Sequence, residues 1–121
     1  MRDERPEDLR VRTKRFALDV IRLYSTLPKS TEAQVLGRQV LRSGTSVGAN
    51  YREAYRSRSK GEFTAKIGDC LKELEESSYW FELLADSGIM DTSKMLRIQD
   101  ECNQLLAIMT TISKKSKAGL S

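Results

Sequence analysis

The chain has 121 residues, with 21 Lys and Arg against 17 Asp and Glu for a net charge of +4, two cysteines and no histidine. That length holds one hydrophobic core and not two, so a single domain over residues 1–121 is expected. The missing histidine excludes Ser-His-Asp and Cys-His catalysis, most catalytic zinc sites and the Glu-x-x-His pattern of di-iron bundles, while the modest positive charge permits an acidic partner such as nucleic acid without requiring one.

Only Pro6 and Pro28 interrupt the backbone, and strand-like alternation is absent. Long amphipathic stretches joined by short connections predict an all-α fold, an up-down-up-down antiparallel four-helix bundle with helices over about 6–27, 31–57, 60–87 and 92–116. No apolar run approaches the roughly 20 residues of a membrane span. The N-terminal residues Arg2, Asp3, Glu4 and Arg5 lack the apolar stretch of a signal peptide, so the cytoplasm is the expected location. Cys70 and Cys102 fall on apolar stripes and are expected to be buried free thiols.

The first helix should start near Pro6, with Glu7 and Asp8 in a favourable first turn, and stop at Pro28. Leu9, Phe16, Val20, Leu23 and Leu27 make its inward stripe; Arg10, Arg12, Lys14, Arg15 and Arg22 crowd the remainder. Thr31-Glu32-Ala33-Gln34 has the form of a capping box opening the second helix. Its core line is Leu36, Val40, Ser43, Val47 and Tyr51 or Ala54. Gly37, Gly44 and Gly48 recur near one face, each costing about 1 kcal/mol relative to alanine, which points to close approach by another helix.

A basic cluster of Arg42, Arg52, Arg56, Arg58 and Lys60 against the single acid Glu53 follows. Arg52 and Arg56 share a helix face, where like charges repel by a few tenths of a kcal/mol unless an anion lies opposite. Ser59-Lys60-Gly61-Glu62 is a second capping box, opening a helix whose inward line is Phe63, Ile67, Cys70, Leu74, Ser78, Phe81 and Leu84 or Ala85. The run Tyr79-Trp80-Phe81 with Leu83-Leu84 is too wide for one inward stripe, and Val35-Leu36 with Val40-Leu41 broadens the second helix likewise. Tyr79, Trp80, Leu83, Val35 and Leu41 are therefore candidates for an oligomer interface. Gly88 is the expected left-handed cap. Met95, Ile98, Cys102, Leu105, Met109 and Ile112 carry the last helix, with Lys114, Lys115 and Lys117 at its negative end.

No phosphate-binding glycine loop occurs, and no cofactor or metal is expected. Glu73 and Glu76, with Asp69 a turn earlier, resemble one half of the magnesium site of helical nucleotide pyrophosphohydrolases, but no second acidic motif accompanies them. An enzyme is not expected.

Ser46-Val47-Gly48-Ala49-Asn50, Glu53, Arg58-Ser59-Lys60, Glu62-Phe63, Leu71-Lys72-Glu73, Tyr79-Trp80 and Leu83-Leu84 resemble a family of small bacterial four-helix bundles. Its members are labelled 23S rRNA intervening-sequence proteins because some are encoded within insertions in ribosomal RNA genes. Ala54 and Arg56 stand where that family often has glycine. The resemblance implies a four-helix protomer assembling as a ring-like homopentamer. It also implies likeness to an accessory protein of diversity-generating retroelements, a pentameric barrel whose basic surface binds its reverse transcriptase and nucleic acid.

Two readings follow. One is a non-enzymatic homo-oligomer binding RNA or DNA through Arg52, Arg56, Arg58 and Lys60, helped by Arg10, Arg12 and Arg15. The other is a scaffold that docks a protein partner such as a nucleic-acid enzyme. A membrane partner is not expected.

Overall fold

The computed structural model describes residues 8–119. Four helices run in order: α1 (Leu9–Ser25), α2 (Thr31–Tyr55), α3 (Lys60–Asp86) and α4 (Thr92–Lys117). Each packs mainly on its neighbour in sequence, which short connections impose on an up-down-up-down bundle, and among the adjacent pairs α1 and α4 touch least. Phe16, Val20, Val40, Val47, Ile67, Leu74, Phe81, Leu84, Met95, Leu105 and Met109 are fully buried in one apolar cluster shared by all four helices. No helix among the described residues is long and apolar enough to cross a membrane.

Side chains placed at the helix starts satisfy backbone N–H groups that have no partner within the helix. Asp8 accepts from the Arg10 N–H at 2.8 Å, so it caps α1 rather than occupying its first turn; Pro6 and Glu7 lie outside the described residues. The expected box at Thr31 shifts by one residue. Ser30 is the cap, accepting from the Ala33 N–H, while the Gln34 amide donates to the Pro28 carbonyl at 2.8 Å and accepts from the Tyr24 hydroxyl at 2.9 Å. Ser59 caps α3 as expected, accepting from the Glu62 N–H at 3.1 Å. Gly88, at φ 79°, takes the left-handed turn after α3, and the Met90 N–H closes it on the Leu84 carbonyl.

The inward stripes follow the sequence with a few shifts: in α2 the buried line runs Ala33, Gly37 and Val40 and leaves Leu36 half-buried, and in α3 Phe63 is likewise half-buried. In α3 the buried serine is Ser77, not Ser78, because the core line steps 74, 77, 81; its hydroxyl meets that of Ser43 at 2.7 Å. In α4 the line passes from Met109 to Ser113 and Ser116, leaving Ile112 half-buried, and Ser116 hydrogen-bonds Thr64. Cys70 and Cys102 are free and buried; loss of water pushes both thiols up to about 12.

The three α2 glycines bring α1 close. A Cβ at Gly37 would meet Leu27 at 2.6 Å, one at Gly44 would meet Val20 at 2.7 Å, and one at Gly48 would meet Thr13 at 3.2 Å. At Gly44 the obstacle is a β-branched side chain fixed by its own backbone, which cannot swing aside. Gly44→Ala is therefore expected to lose about 1 kcal/mol net, the overpacking outweighing the gain in helix propensity. Gly68, in α3, has nothing within 4 Å of its would-be Cβ. Gly68→Ala should gain about 1 kcal/mol. Denaturant unfolding of the two variants checks the opposite signs.

Candidate nucleic-acid interface

Antiparallel packing of α1 on α2 sets the geometry. With Thr13 seated on Gly48, the first turns of α1 lie beside the last turns of α2. Arg10 and Lys14, one turn apart, thereby meet Arg52 and Arg56, also one turn apart. Together with Asp8, Val11 and Tyr55 they line a groove of about 580 Å³.

The Asp8 carboxylate accepts from Arg10 Nε at 3.1 Å and Nη2 at 2.6 Å, and these bonds hold Asp8 below the ordinary carboxylate range. Arg10 also lies over Tyr55, its guanidinium carbon 3.9 Å from the ring centroid. Tyr55 itself is 53% exposed. Lys14, Arg52 and Arg56 are exposed and make no ion pair among the described residues.

The other candidate cations are dispersed. Arg58 lies in an adjoining hollow with Glu53, Arg56, Glu62 and Lys66, where Lys66 pairs with Glu53 at 3.0 Å. Lys60, the first residue of α3, is exposed and lines neither hollow. Arg12 turns to α4, donating to both Glu101 oxygens at 2.8 Å and to Gln104 at 2.7 Å. Arg15 shares a further hollow with Arg12, Asp19, Arg97, Asp100 and Glu101, so its surroundings balance acid against base. Helix rotation separates Arg12 and Arg15 from Arg10: each residue turns the side chain by about 100°, so closeness in sequence is not closeness on a face. Lys14 and Tyr55 were not among the expected site residues. The signal for Lys14 was present in the sequence, since it follows Arg10 by the same four residues that separate Arg52 from Arg56.

Of the interface candidates, Tyr79 and Val35 are about half exposed, at 53% and 50%. Trp80 and Leu41 are half-buried against the core cluster, and Leu83 is half-buried as well. The Trp80 indole N–H donates to Glu76 at 3.4 Å. Arg42 bridges from α2 to both Glu73, at 3.3 Å, and Glu76. Its bond holds Glu76 below the usual carboxylate range, so the acidic pair weighed as a magnesium half-site is neutralised by an arginine. Among the described residues no group of three or more His, Cys, Asp or Glu is arranged to hold a metal ion.

The family described as 23S rRNA-intervening sequence protein matches residues 7–111. A crystal structure at 1.70 Å of a protein with unknown function from the S23 ribosomal protein family of Bacteroides thetaiotaomicron has a similar fold, with a TM-score of 0.82. The two are 32% identical, and the match covers 88% of this chain and 95% of that one. No curated protein matches the chain.

Proposed function

The chain belongs to the 23S rRNA-intervening sequence protein family, and we propose that it is a non-enzymatic, homo-oligomeric module that binds nucleic acid through the groove between the start of α1 and the end of α2. One observation carries this reading: Lys14, Arg52 and Arg56 converge there with Arg10, and Asp8 is the acid among the lining residues. Helix dipoles do not account for the set. A cation at the C-terminal turn of α2, such as Arg52, gains about 0.3–1 kcal/mol from the dipole, whereas Arg10 in the first turn of α1 sits at the wrong pole and is compensated by Asp8, and Lys14 has neither. A polyanion compensates the mutual repulsion and gains entropy by releasing its counterions.

Self-association is supported by the half-exposed apolar side chains Tyr79 and Val35, which contribute little to the protomer's own core. Five copies are what the family resemblance implies. Tyr79→Glu and Val35→Asp are expected to lower the mass seen by light scattering while leaving the helical circular dichroism intact. A wild-type monomer would overturn the assembly.

The binding itself is tested by fluorescence anisotropy of labelled RNA and DNA with the full chain. Affinity at low salt that is insensitive to base sequence supports a phosphate-directed interface. No binding of either polymer at low salt overturns it.

A further inference from the structure

Tyr55 meets Tyr51, with ring centroids 6.5 Å apart, but stays outside the core cluster. It closes α2, remains 53% exposed, and stands in the groove where Arg10 and Lys14 of α1 meet Arg52 and Arg56 at the end of α2. Arg10 is laid over its ring, and Asp8 pins that guanidinium in place through side-chain bonds from both Nε and Nη2. The arrangement sets Arg10 apart from its neighbours. Asp8 already compensates its charge, so Arg10 is a poor phosphate clamp, whereas Lys14, Arg52 and Arg56 keep theirs for the backbone of a bound strand. What Arg10 and Tyr55 present together is a flat, pre-ordered, polarisable surface flanked by cations.

Resting on the nucleic-acid reading above, we infer that the Arg10–Tyr55 pair is a stacking platform for an unpaired base, and that the groove takes single-stranded rather than duplex nucleic acid. Bases stack on aromatic rings and on guanidinium planes alike, and every base offers such a face, so the platform confers affinity without sequence preference. In a duplex the bases are already stacked on one another, and the platform finds nothing to hold. The ordering of Arg10 by Asp8 means that little side-chain freedom is lost when a base arrives.

The test measures affinity of the full chain for three probes with equal phosphate counts: a short single strand, a duplex of half its length and an abasic single strand, in ribo and deoxyribo form. Wild type is compared with Tyr55→Phe and Tyr55→Ala, and circular dichroism verifies that both variants fold. The single strand should bind best, and the abasic strand roughly tenfold more weakly. Tyr55→Ala should lose about tenfold on the single strand, nothing on the duplex, and leave the salt dependence unchanged, while Tyr55→Phe retains wild-type affinity. Equal binding of all three probes, or Tyr55→Ala indistinguishable from wild type on the single strand, overturns the stacking platform but leaves the basic groove standing. Failure of every probe to bind removes the groove's function and the platform with it.

Discussion

Phe81→Ala is expected to lower the free energy of unfolding by about 3–5 kcal/mol, the largest loss from any single substitution considered for this chain. Phe81 is fully buried, and its ring meets that of Phe16 edge-on, with centroids 6.2 Å apart and planes at 89°. That geometry sets the positive edge of one ring on the negative face of the other, worth about 0.5–1.5 kcal/mol beyond the area buried. The contact also ties α1 to α3, two helices that are not neighbours in sequence. Against a total stability of about 5–15 kcal/mol for a domain of this kind, the loss leaves a marginal protein. A double-mutant cycle with Phe16→Ala isolates the ring–ring component. Arg42→Ala gives the contrast. The Arg42 side chain is 50% exposed, so removing its bridge to Glu73 and Glu76 should cost no more than about 1 kcal/mol. Urea unfolding of the three variants checks the order; a Phe81→Ala loss no greater than that of Arg42→Ala would contradict the packing described.

The second large effect is on binding. Arg52→Glu with Arg56→Glu reverses two of the groove's cations, both exposed and without an ion pair among the described residues. Stability should fall by no more than about 1–2 kcal/mol in total, the cost of placing acids at the negative end of α2, since neither side chain packs in the core. Affinity for nucleic acid at low salt should fall more than tenfold. The slope of log affinity against log salt should also flatten by about one unit per lost phosphate contact. Arg12→Gln should behave in the opposite manner. It breaks the clamp on Glu101 and Gln104, and so weakens the α1–α4 contact, while leaving the groove and its affinity alone. Anisotropy and denaturation on the same samples separate the two classes of variant.

Much of the architecture was legible because it rests on periodicity. Buried positions from Phe16 to Met109 follow steps of three and four, and Gly37, Gly44 and Gly48 marked the face where α1 approaches. The shifts to Ser77 and Ser113 show the limit of that reading. Small hydroxyl residues carry almost no hydropathy signal, and the pairing of Ser43 with Ser77 depends on a partner on another helix. The candidate site was legible only as a concentration of charge. Sorting Arg52 and Arg56 from Arg12 and Arg15 requires the register between helices, because the carboxylates that claim Arg12 lie on α4, 89 residues away. The stacking of Arg10 on Tyr55 likewise joins residues whose proximity follows from the α1–α2 packing and not from spacing in the chain.

The most direct test of a phosphate-binding groove is the salt dependence of wild-type affinity for a single-stranded oligonucleotide. Three or four neutralised phosphates predict a straight log–log plot with a slope of about −2 to −3. Absence of binding at low salt, or a slope near zero, would contradict the assignment.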